Sequence, residues 1–304
     1  MPVLSPKLLA TWYYLVDSEN PNNIILAENY EQNLNQDVKS RPMIQGDIGV
    51  HAMDVGGIKY TTTISSPILI VETNSARYGI PTNSPTASEF STNEISNSFG
   101  LLINKFNEIR YPGSPIYDPA NPNPIILKSG RLNISEEAVS TDMTFVSGFG
   151  NVFSPVYVGD SEPPDYIART ARWYDTGLVI TEYPALPIVY PIIEASLSFE
   201  VEIEENYFMG TGQTPFFSVQ GYKVSGSLKV LAPPNDQYLS IAYQNSGDFS
   251  VVGYQNLHMN IGGITFDFGA ANMTKNIKRS LTPNKITSIE IEIETFARYT
   301  TPFG

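Results

Sequence analysis

Two stretches of strict alternation between apolar and acidic residues constrain the fold of this chain more than any other feature. They read SFEVEIEEN, starting at Ser198, and SIEIEIETF, starting at Ser288. Successive side chains of a β-strand point to opposite faces of its sheet, so each stretch predicts a strand with one apolar face and one file of carboxylates. The files comprise Glu200, Glu202 and Glu204 in the first stretch and Glu290, Glu292 and Glu294 in the second.

The composition extends this strand prediction to the whole chain. Charged residues make up 16% of the 304 positions, against about 25% in an average protein, so the polar surface must be largely uncharged. The 18 tyrosines and 15 phenylalanines favour strands. The 23 prolines and 22 glycines predict many turns and few long helices. We therefore predict an all-β fold with a few short helices.

Charge and cysteine content exclude several functional classes. The net charge is −13, whereas a nucleic-acid reader normally carries a basic stripe. The absence of cysteine excludes disulfides, zinc–thiolate sites, iron–sulfur clusters and cysteine nucleophiles. No stretch reaches the 18–20 or so apolar residues of a membrane helix. The apolar N-terminal run KLLATWYYLV is followed by VDSENPNN instead of a cleavage site, and we interpret it as a core strand or a short helix.

The order of predicted elements divides the chain into four parts. Residues 1–40 form an N-terminal arm, and residues 41–150 a first β domain in which Val55–Gly57 marks a hairpin turn. Residues 151–190 form an irregular, proline-rich connection with one short helix near Asp165–Tyr174. Residues 191–304 form a second β domain. Each domain is expected to contain a long hairpin, a short helix and two further long strands.

The two short helices are predicted from their hydrophobic spacing. In the first domain Phe99, Leu102, Ile103 and Phe106 follow the spacing of an amphipathic helix. In the second, NDQYLSIAYQ has the same kind of spacing, and Asn235 is suited to cap it.

No catalytic motif emerges from the sequence. The chain has no nucleophile elbow, phosphate-binding loop, dinucleotide fingerprint or metalloprotease motif. Its two histidines, His51 and His258, fall inside strand patterns. Glycoside hydrolysis needs two facing carboxylates, but the acids here occur in files of three, and SIEIEIETF lacks the aromatics of a sugar cleft. We therefore predict no enzymatic activity, no metal site and no cofactor, and keep a secreted carbohydrate-binding or carbohydrate-cleaving β-sandwich as a lesser alternative.

A basic segment near the C-terminus is a candidate contact site. NMTKNIKRSLTPNK gathers Lys275, Lys278, Arg279 and Lys285 in a predicted loop beside an acidic strand. Such a segment is either a solvated loop or a contact to an acidic neighbouring subunit, where ion pairs set register and specificity.

The second domain resembles the tail tube proteins of tailed bacteriophages. The resemblance rests on a long amphipathic hairpin whose return strand reads VQGYKVSGSLKV, a short helix directly after it, and a closing strand LTPNKITSIEIEIETFA. Val224, Gly226, Ser227, Leu228 and Val230 match the V-x-G-S-[LF]-x-V stretch common in that family. The match covers Ile192 to Ala297, and the first domain fits by element order alone.

The resemblance implies two tandem tube-type domains, each a β-sandwich or half-barrel, whose long hairpins build an oligomeric β-barrel ring. Stacked rings, trimeric or hexameric, would form the hollow tail tube of the virion and contact sheath, baseplate and terminator proteins. DNA would pass through the lumen without specific binding, past the two files of glutamates on the lumen wall. A tube subunit usually has one such domain, so a trimeric baseplate hub or tail-adaptor ring protein, which resembles two fused tube domains, is the alternative.

Overall fold

A computed structural model of the protein gives the positions of most of the predicted strands. It describes residues 13–17, 24–25, 27–43, 50–71, 97–110, 125–148, 153–157, 168–180, 188–206, 216–231, 257–261, 264–267, 273–280 and 287–298. The helices in these ranges are the α-helix α1 (Asn97–Arg110) and a 3₁₀ helix at Trp173–Asp175. The strands are β1 (Tyr13–Asp17), β2 (Ile24–Ile25), β3 (Asn29–Met43), β4 (Val50–Pro67), β5 (Leu69–Val71), β6 (Ile126–Ile134), β7 (Val139–Ser147), β8 (Phe153–Tyr157), β9 (Ala168–Thr170), β10 (Thr176–Ile180), β11 (Ile188–Asn206), β12 (Phe216–Leu231), β13 (Leu257–Ile261), β14 (Ile264–Asp267), β15 (Met273–Ser280) and β16 (Ser288–Arg298).

Eight of these strands form one continuous antiparallel sheet. Their order in space is β3-β4-β7-β6-β11-β12-β16-β15. Strands β10, β13 and β14 extend the same sheet from the start of β11. Two small sheets, β2-β1-β8 and β5-β9, complete the described strands. The described part of the chain is thus mostly β, as the composition predicts.

The eight-stranded sheet consists of two halves with the same strand order. In the first half the long hairpin β3-β4 is followed by the shorter hairpin β6-β7. The second strand of the shorter hairpin, β7, pairs with β4, which gives the order β3-β4-β7-β6. In the second half the same rule gives β11-β12-β16-β15. The pair β6–β11 joins the halves.

Irregularities of the ladder recur at matching places in the two halves. Each long hairpin changes register at one matching place, between Gln36 and Val38 in β3 and between Glu202 and Ile203 in β11, and β11 has a further shift between Ile192 and Glu194. Each shorter hairpin also changes register once, at Lys128 of β6 and at Lys275 of β15. A β-bulge of this kind inserts one extra residue and bends its strand. The halves therefore share their bends as well as their strand order.

The core lies against one face of this sheet. Alternate residues of the central strands are buried, among them Leu197 and Phe199 of β11 and Ile291 of β16. Helix α1 lies on this apolar face. Its Phe106 packs edge-on against Phe199 and against Tyr222 of β12, with ring centroids 5.4 and 5.1 Å apart.

Two glycines lie where a side chain would clash with neighbouring atoms. A Cβ on Gly130 of β6 would lie 2.3 Å from Cδ1 of Leu102, so the missing side chain makes room for the helix. Gly226 of β12 has φ of 148°, a conformation that favours glycine, and its Cβ would lie 2.0 Å from the carbonyl oxygen of Ser196. A side chain at this position of the V-S-G-S-L stretch would therefore clash with the backbone of β11.

Several sequence predictions are confirmed. The four residues that predicted the first helix, Phe99, Leu102, Ile103 and Phe106, all lie buried in α1. Both histidines lie in strands, His51 in β4 and His258 in β13.

Other predictions need correction. The predicted hairpin turn at Val55–Gly57 is wrong, because β4 runs through it and the two glycines form a bulge between the pairs Val38–Val55 and Gln36–Ile58. Of the predicted helix near Asp165–Tyr174, the described part is the short strand β9 and the start of the 3₁₀ helix, where the Asp175 carboxylate accepts a hydrogen bond from the backbone N–H of Arg172.

Two further predictions concern the extent of segments along the chain. Strand β3 crosses the predicted end of the N-terminal arm at residue 40. The helix predicted over 235–244 lies outside the described residues.

Candidate functional site

The candidate site is the face of the eight-stranded sheet opposite the core, which we call the polar face. In the first half it is built mainly of Ser, Thr and Asn side chains, together with the cross-strand pair Arg131–Asp142, Glu31 of β3 and Lys59 of β4. In the second half it carries most of the charge. Because cross-strand partners lie on one side of a sheet, the register shows which of these side chains share the face.

The predicted alternation is confirmed on both acidic strands. Ile289, Ile291 and Ile293 are buried, while the glutamates between them are half-exposed. On β11 Phe199 and Val201 are buried, and Glu200, Glu202 and Glu204 are exposed. Both files of glutamates therefore lie on the polar face.

The two files are staggered along the sheet and do not lie side by side. Strand β12 separates them, and Ser225 of this strand lies opposite both Glu294 and Ser198. The next polar-face residue of β11 is Glu200, which lies opposite Lys223. One file therefore begins at about the level where the other ends.

Lysines of β12, which the sequence analysis did not identify, lie between the files. Lys223 forms an ion pair with Glu294, with Nζ and Oε1 3.2 Å apart, and Lys229 pairs with Glu194 at 3.6 Å. Lys229 also lies directly opposite Glu290. The lysines of VQGYKVSGSLKV and the glutamates of SIEIEIETF are evident from the sequence. That they lie beside each other follows only from the register between β12 and β16.

The balance of charge on the second half of the polar face remains acidic. Its carboxylates outnumber its lysines by seven to three in the described strands. These residues are Glu194, Glu200, Glu202, Glu204, Glu290, Glu292 and Glu294 on one side and Lys223, Lys229 and Lys278 on the other.

The predicted basic contact segment belongs to an edge of the sheet. The loop interpretation is wrong for Met273–Ser280, because these residues form β15 and pair with β16. Lys275, Lys278 and Arg279 therefore lie on a strand, with Lys278 exposed and opposite Glu290. Lys285 lies outside the described residues.

The long hairpins also meet each other. Both extend past the shorter β6-β7 hairpin, and Lys59 of β4 forms an ion pair with Glu205 of β11 there. This contact links the first and second halves of the sheet at a second place, away from the β6–β11 pair.

Comparisons with known proteins leave the family open. No protein-family model matches the sequence, and no significant match to a curated protein is found. In the described ranges no cluster of three or more His, Asp or Glu side chains is placed to hold a metal ion. No helix in those same ranges is long and apolar enough to cross a membrane.

Proposed function

We propose that this chain is a ring-forming structural protein of the virion tail of a tailed bacteriophage, with no enzymatic activity. In this proposal each chain contributes two tandem tube-type units, and its sheet is an arc of the wall of the hollow tail tube. The polar face lines the lumen, through which DNA passes during ejection. Sheath, baseplate and terminator proteins of the tail are the expected neighbours.

The observation that carries the proposal is the recurrence of one four-stranded unit within one continuous sheet. Both halves have the same strand order and matching bulges. A sheet that adds units of the same strand order edge to edge is suited to close into a barrel, which removes exposed edges. One face is packed under α1 and the other is polar, as the wall of a wide, water-filled barrel requires.

The charge of the polar face fits a conduit for DNA better than a DNA-binding site. DNA carries one negative charge per roughly 1.7 Å of its axis. An excess of carboxylates repels it, and two of the three lysines among them, Lys223 and Lys229, are held in ion pairs with Glu294 and Glu194. DNA would therefore meet a wetted wall of weakly repulsive charge.

A trimeric baseplate hub or tail-adaptor ring is the second candidate. The presence of two similar four-stranded halves in one chain favours it, because three such chains supply as many units as six single-unit chains. Tube and hub differ in whether rings stack.

Electron microscopy of the purified chain tests both candidates. Long hollow tubes in negative stain are the result expected for a tube subunit, and single rings that never stack would favour the hub. A monodisperse monomer that binds glycans would contradict both and support the carbohydrate-binding alternative.

The lumen position of the glutamates is tested by charge reversal. Glu290→Lys with Glu292→Lys should leave assembly intact and slow DNA ejection, because a polyanion would then be attracted to the wall. Glu136→Lys with Glu137→Lys is a matched control, since these exposed residues lie in the β6–β7 turn. Loss of assembly in the first variant alone would mean that the file faces a protein partner. The same comparison applies to Glu200→Lys with Glu202→Lys.

A further inference from the structure

The two outer strands of the eight-stranded sheet are the feature from which this inference starts. Among the described residues β3 pairs with β4 alone and β15 with β16 alone. Since every pair in the series is antiparallel and the number of strands is even, β3 and β15 run in opposite directions. An antiparallel pair between β15 of one copy and β3 of another would continue the alternation.

The chain contains a template for such a contact in the pair β6–β11, which joins the two halves. Strand β6 ends the first half as β15 ends the second, and β11 begins the second half as β3 begins the first. In the template Arg131 lies opposite Ser198, and Gly130 lies opposite Phe199. The guanidinium Nη2 of Arg131 also donates a hydrogen bond to Oγ of Ser196, at 3.4 Å.

The matching bulges and pairs set the residue correspondence between the halves. Lys128 corresponds to Lys275, and on the same strands Arg131 corresponds to Lys278. Their cross-strand partners are both acidic, Asp142 and Glu290.

The long hairpins are matched by the shared Gly-x-Lys of β4 and β12, which makes Lys59 and Lys223 equivalent. By the hairpin registers, Glu31 then corresponds to Ser196, Asn33 to Ser198 and Leu34 to Phe199.

Leu34, on the edge strand β3, is far more exposed than its counterpart in the second half. It is one of the exposed large hydrophobic residues, at 57% relative exposure, whereas its counterpart Phe199 is 0% exposed. Phe199 lies opposite Gly130 at the β6–β11 junction, and Phe106 of α1 covers it, with ring centroids 5.4 Å apart. An apolar side chain left exposed at an edge strand favours pairing with another chain.

We propose that β15 of one copy pairs with β3 of a second copy in the register of β6–β11. Lys278 then lies opposite Asn33 of the second copy, and Ser280 lies opposite Glu31. The contact that corresponds to Arg131–Ser196 joins Lys278 to Glu31, two residues of opposite charge. Because different surfaces meet, the contact is head-to-tail and generates a ring when its rotation closes. This inference rests on the proposed function for the ring, and adds the contact that builds it.

Disulfide cross-linking tests the register, since the natural chain has no cysteine. The variant Asn33→Cys/Lys278→Cys should form covalent oligomers on oxidation, because directly opposite residues have Cβ atoms about 4.5–5.5 Å apart. Asn29→Cys/Lys278→Cys is the matched control, with its cysteine about 13 Å further along the strand. We expect the first variant to cross-link and the control to lose this cross-link, because cysteines whose Cα atoms are more than about 7 Å apart cannot be bridged without backbone movement.

A charge swap tests the Lys278–Glu31 contact independently. Lys278→Glu should reduce assembly, and Lys278→Glu/Glu31→Lys should restore it. Leu34→Glu should also reduce assembly without changing the unfolding of the isolated chain. Tyr174→Glu, at another exposed large hydrophobic position, should assemble normally.

The possible outcomes separate the two proposals. Rings in the microscope with equal cross-linking of the two cysteine pairs would overturn the edge contact and leave the proposed function standing. A disulfide within a single chain would also overturn it, because the sheet would then close on itself. If the chain forms no rings and no oligomers at any concentration, both proposals are contradicted.

Discussion

The ammonium group of Lys223 lies 3.2 Å from the carboxylate of Glu294, where the two staggered files of glutamates come nearest to each other. Lys223 also lies directly opposite Glu200, the first glutamate of the other file. One cation is therefore shared between the end of one file and the start of the next. Without it, the strongest repulsion between the files would be that between Glu294 and Glu200.

The Lys223–Glu294 pair should contribute little to the free energy of unfolding. Both side chains are 39% exposed, and ion pairs at such sites are worth about 0.2–1 kcal/mol. A double-mutant cycle with Lys223→Met and Glu294→Gln, measured by urea denaturation, should give a coupling energy in this range that falls as salt is added. The more exposed Lys229–Glu194 pair should give less. A coupling above about 2 kcal/mol would show that the pair is shielded from solvent.

Gly226→Ala should be among the most damaging small substitutions in the chain. The new Cβ would lie 2.0 Å from a backbone oxygen and 2.9 Å from the Cα of Leu197, and φ is 148°. Backbone strain of this kind costs about 1–3 kcal/mol before the clash is counted. Urea denaturation should show a loss larger than that, while Ser225→Ala, next to it on the half-exposed part of β12, should change the unfolding free energy by under about 0.5 kcal/mol.

Gly130→Ala should be damaging in a way that can be rescued. Its Cβ would meet Cδ1 of Leu102 at 2.3 Å, the end of a side chain and not backbone. Overpacking costs about 1–3 kcal/mol, and Leu102→Val in the same chain should recover part of it. If Leu102→Val worsens Gly130→Ala by its full separate cost, the two sites do not share this space.

Phe106→Ala should destabilise both halves of the sheet together. The Phe106 ring contacts Phe199, Tyr222 and Phe266 from a helix that follows the first long hairpin in sequence. Truncating a buried phenylalanine costs about 3–5 kcal/mol. We expect one cooperative transition, shifted to lower urea by this amount, in circular dichroism and in fluorescence alike. Two separate transitions would show that the halves unfold independently.

Tyr30 should contribute to a loss of stability in alkali. Burial raises the pKa of its phenol above the ordinary value of 10.0. The unfolded chain therefore loses this proton at lower pH than the folded chain, so the contribution is fully present below the ordinary pKa and is lost as pH rises through the raised one. Tyr30→Phe should unfold with a weaker pH dependence above about pH 10, measured by urea denaturation across that range. Equal slopes for the two proteins would contradict this.

The elements that the sequence predicts well are those with strong local periodicity. Helix α1 and strands β11 and β16 carry their burial pattern in consecutive residues, so Phe106, Phe199 and Ile291 lie in the core as expected. The glycines at Val55–Gly57 were misleading because a bulge and a hairpin turn both favour glycine. The sequence does not predict strand β15, because MTKNIKRS has few strand-forming residues. Its pairing with β16 compensates for this low strand propensity.

The candidate site was only half predictable for a related reason. The glutamate files follow from alternation within one strand, whereas their lysine neighbours depend on register between strands. Lys223 and Glu200 lie opposite each other only because the β11–β12 hairpin pairs them, and the sequence does not contain that register. The recurrence of the bulges at Lys128 and Lys275 also became visible only through pairing.

These paired bulges have a geometric consequence for any assembly of the chain. A bulge bends its strand and increases the local twist. Each half carries a matching one in its long hairpin and in its short hairpin, and β11 has a further one between Ile192 and Glu194. Each set of four strands therefore adds the same matching pair of bends, whether the next four strands come from the same chain or another. Deleting Lys128 alone would remove the bend in β6 and leave the corresponding bend at Lys275 of β15. The two halves of every chain would then curve unequally.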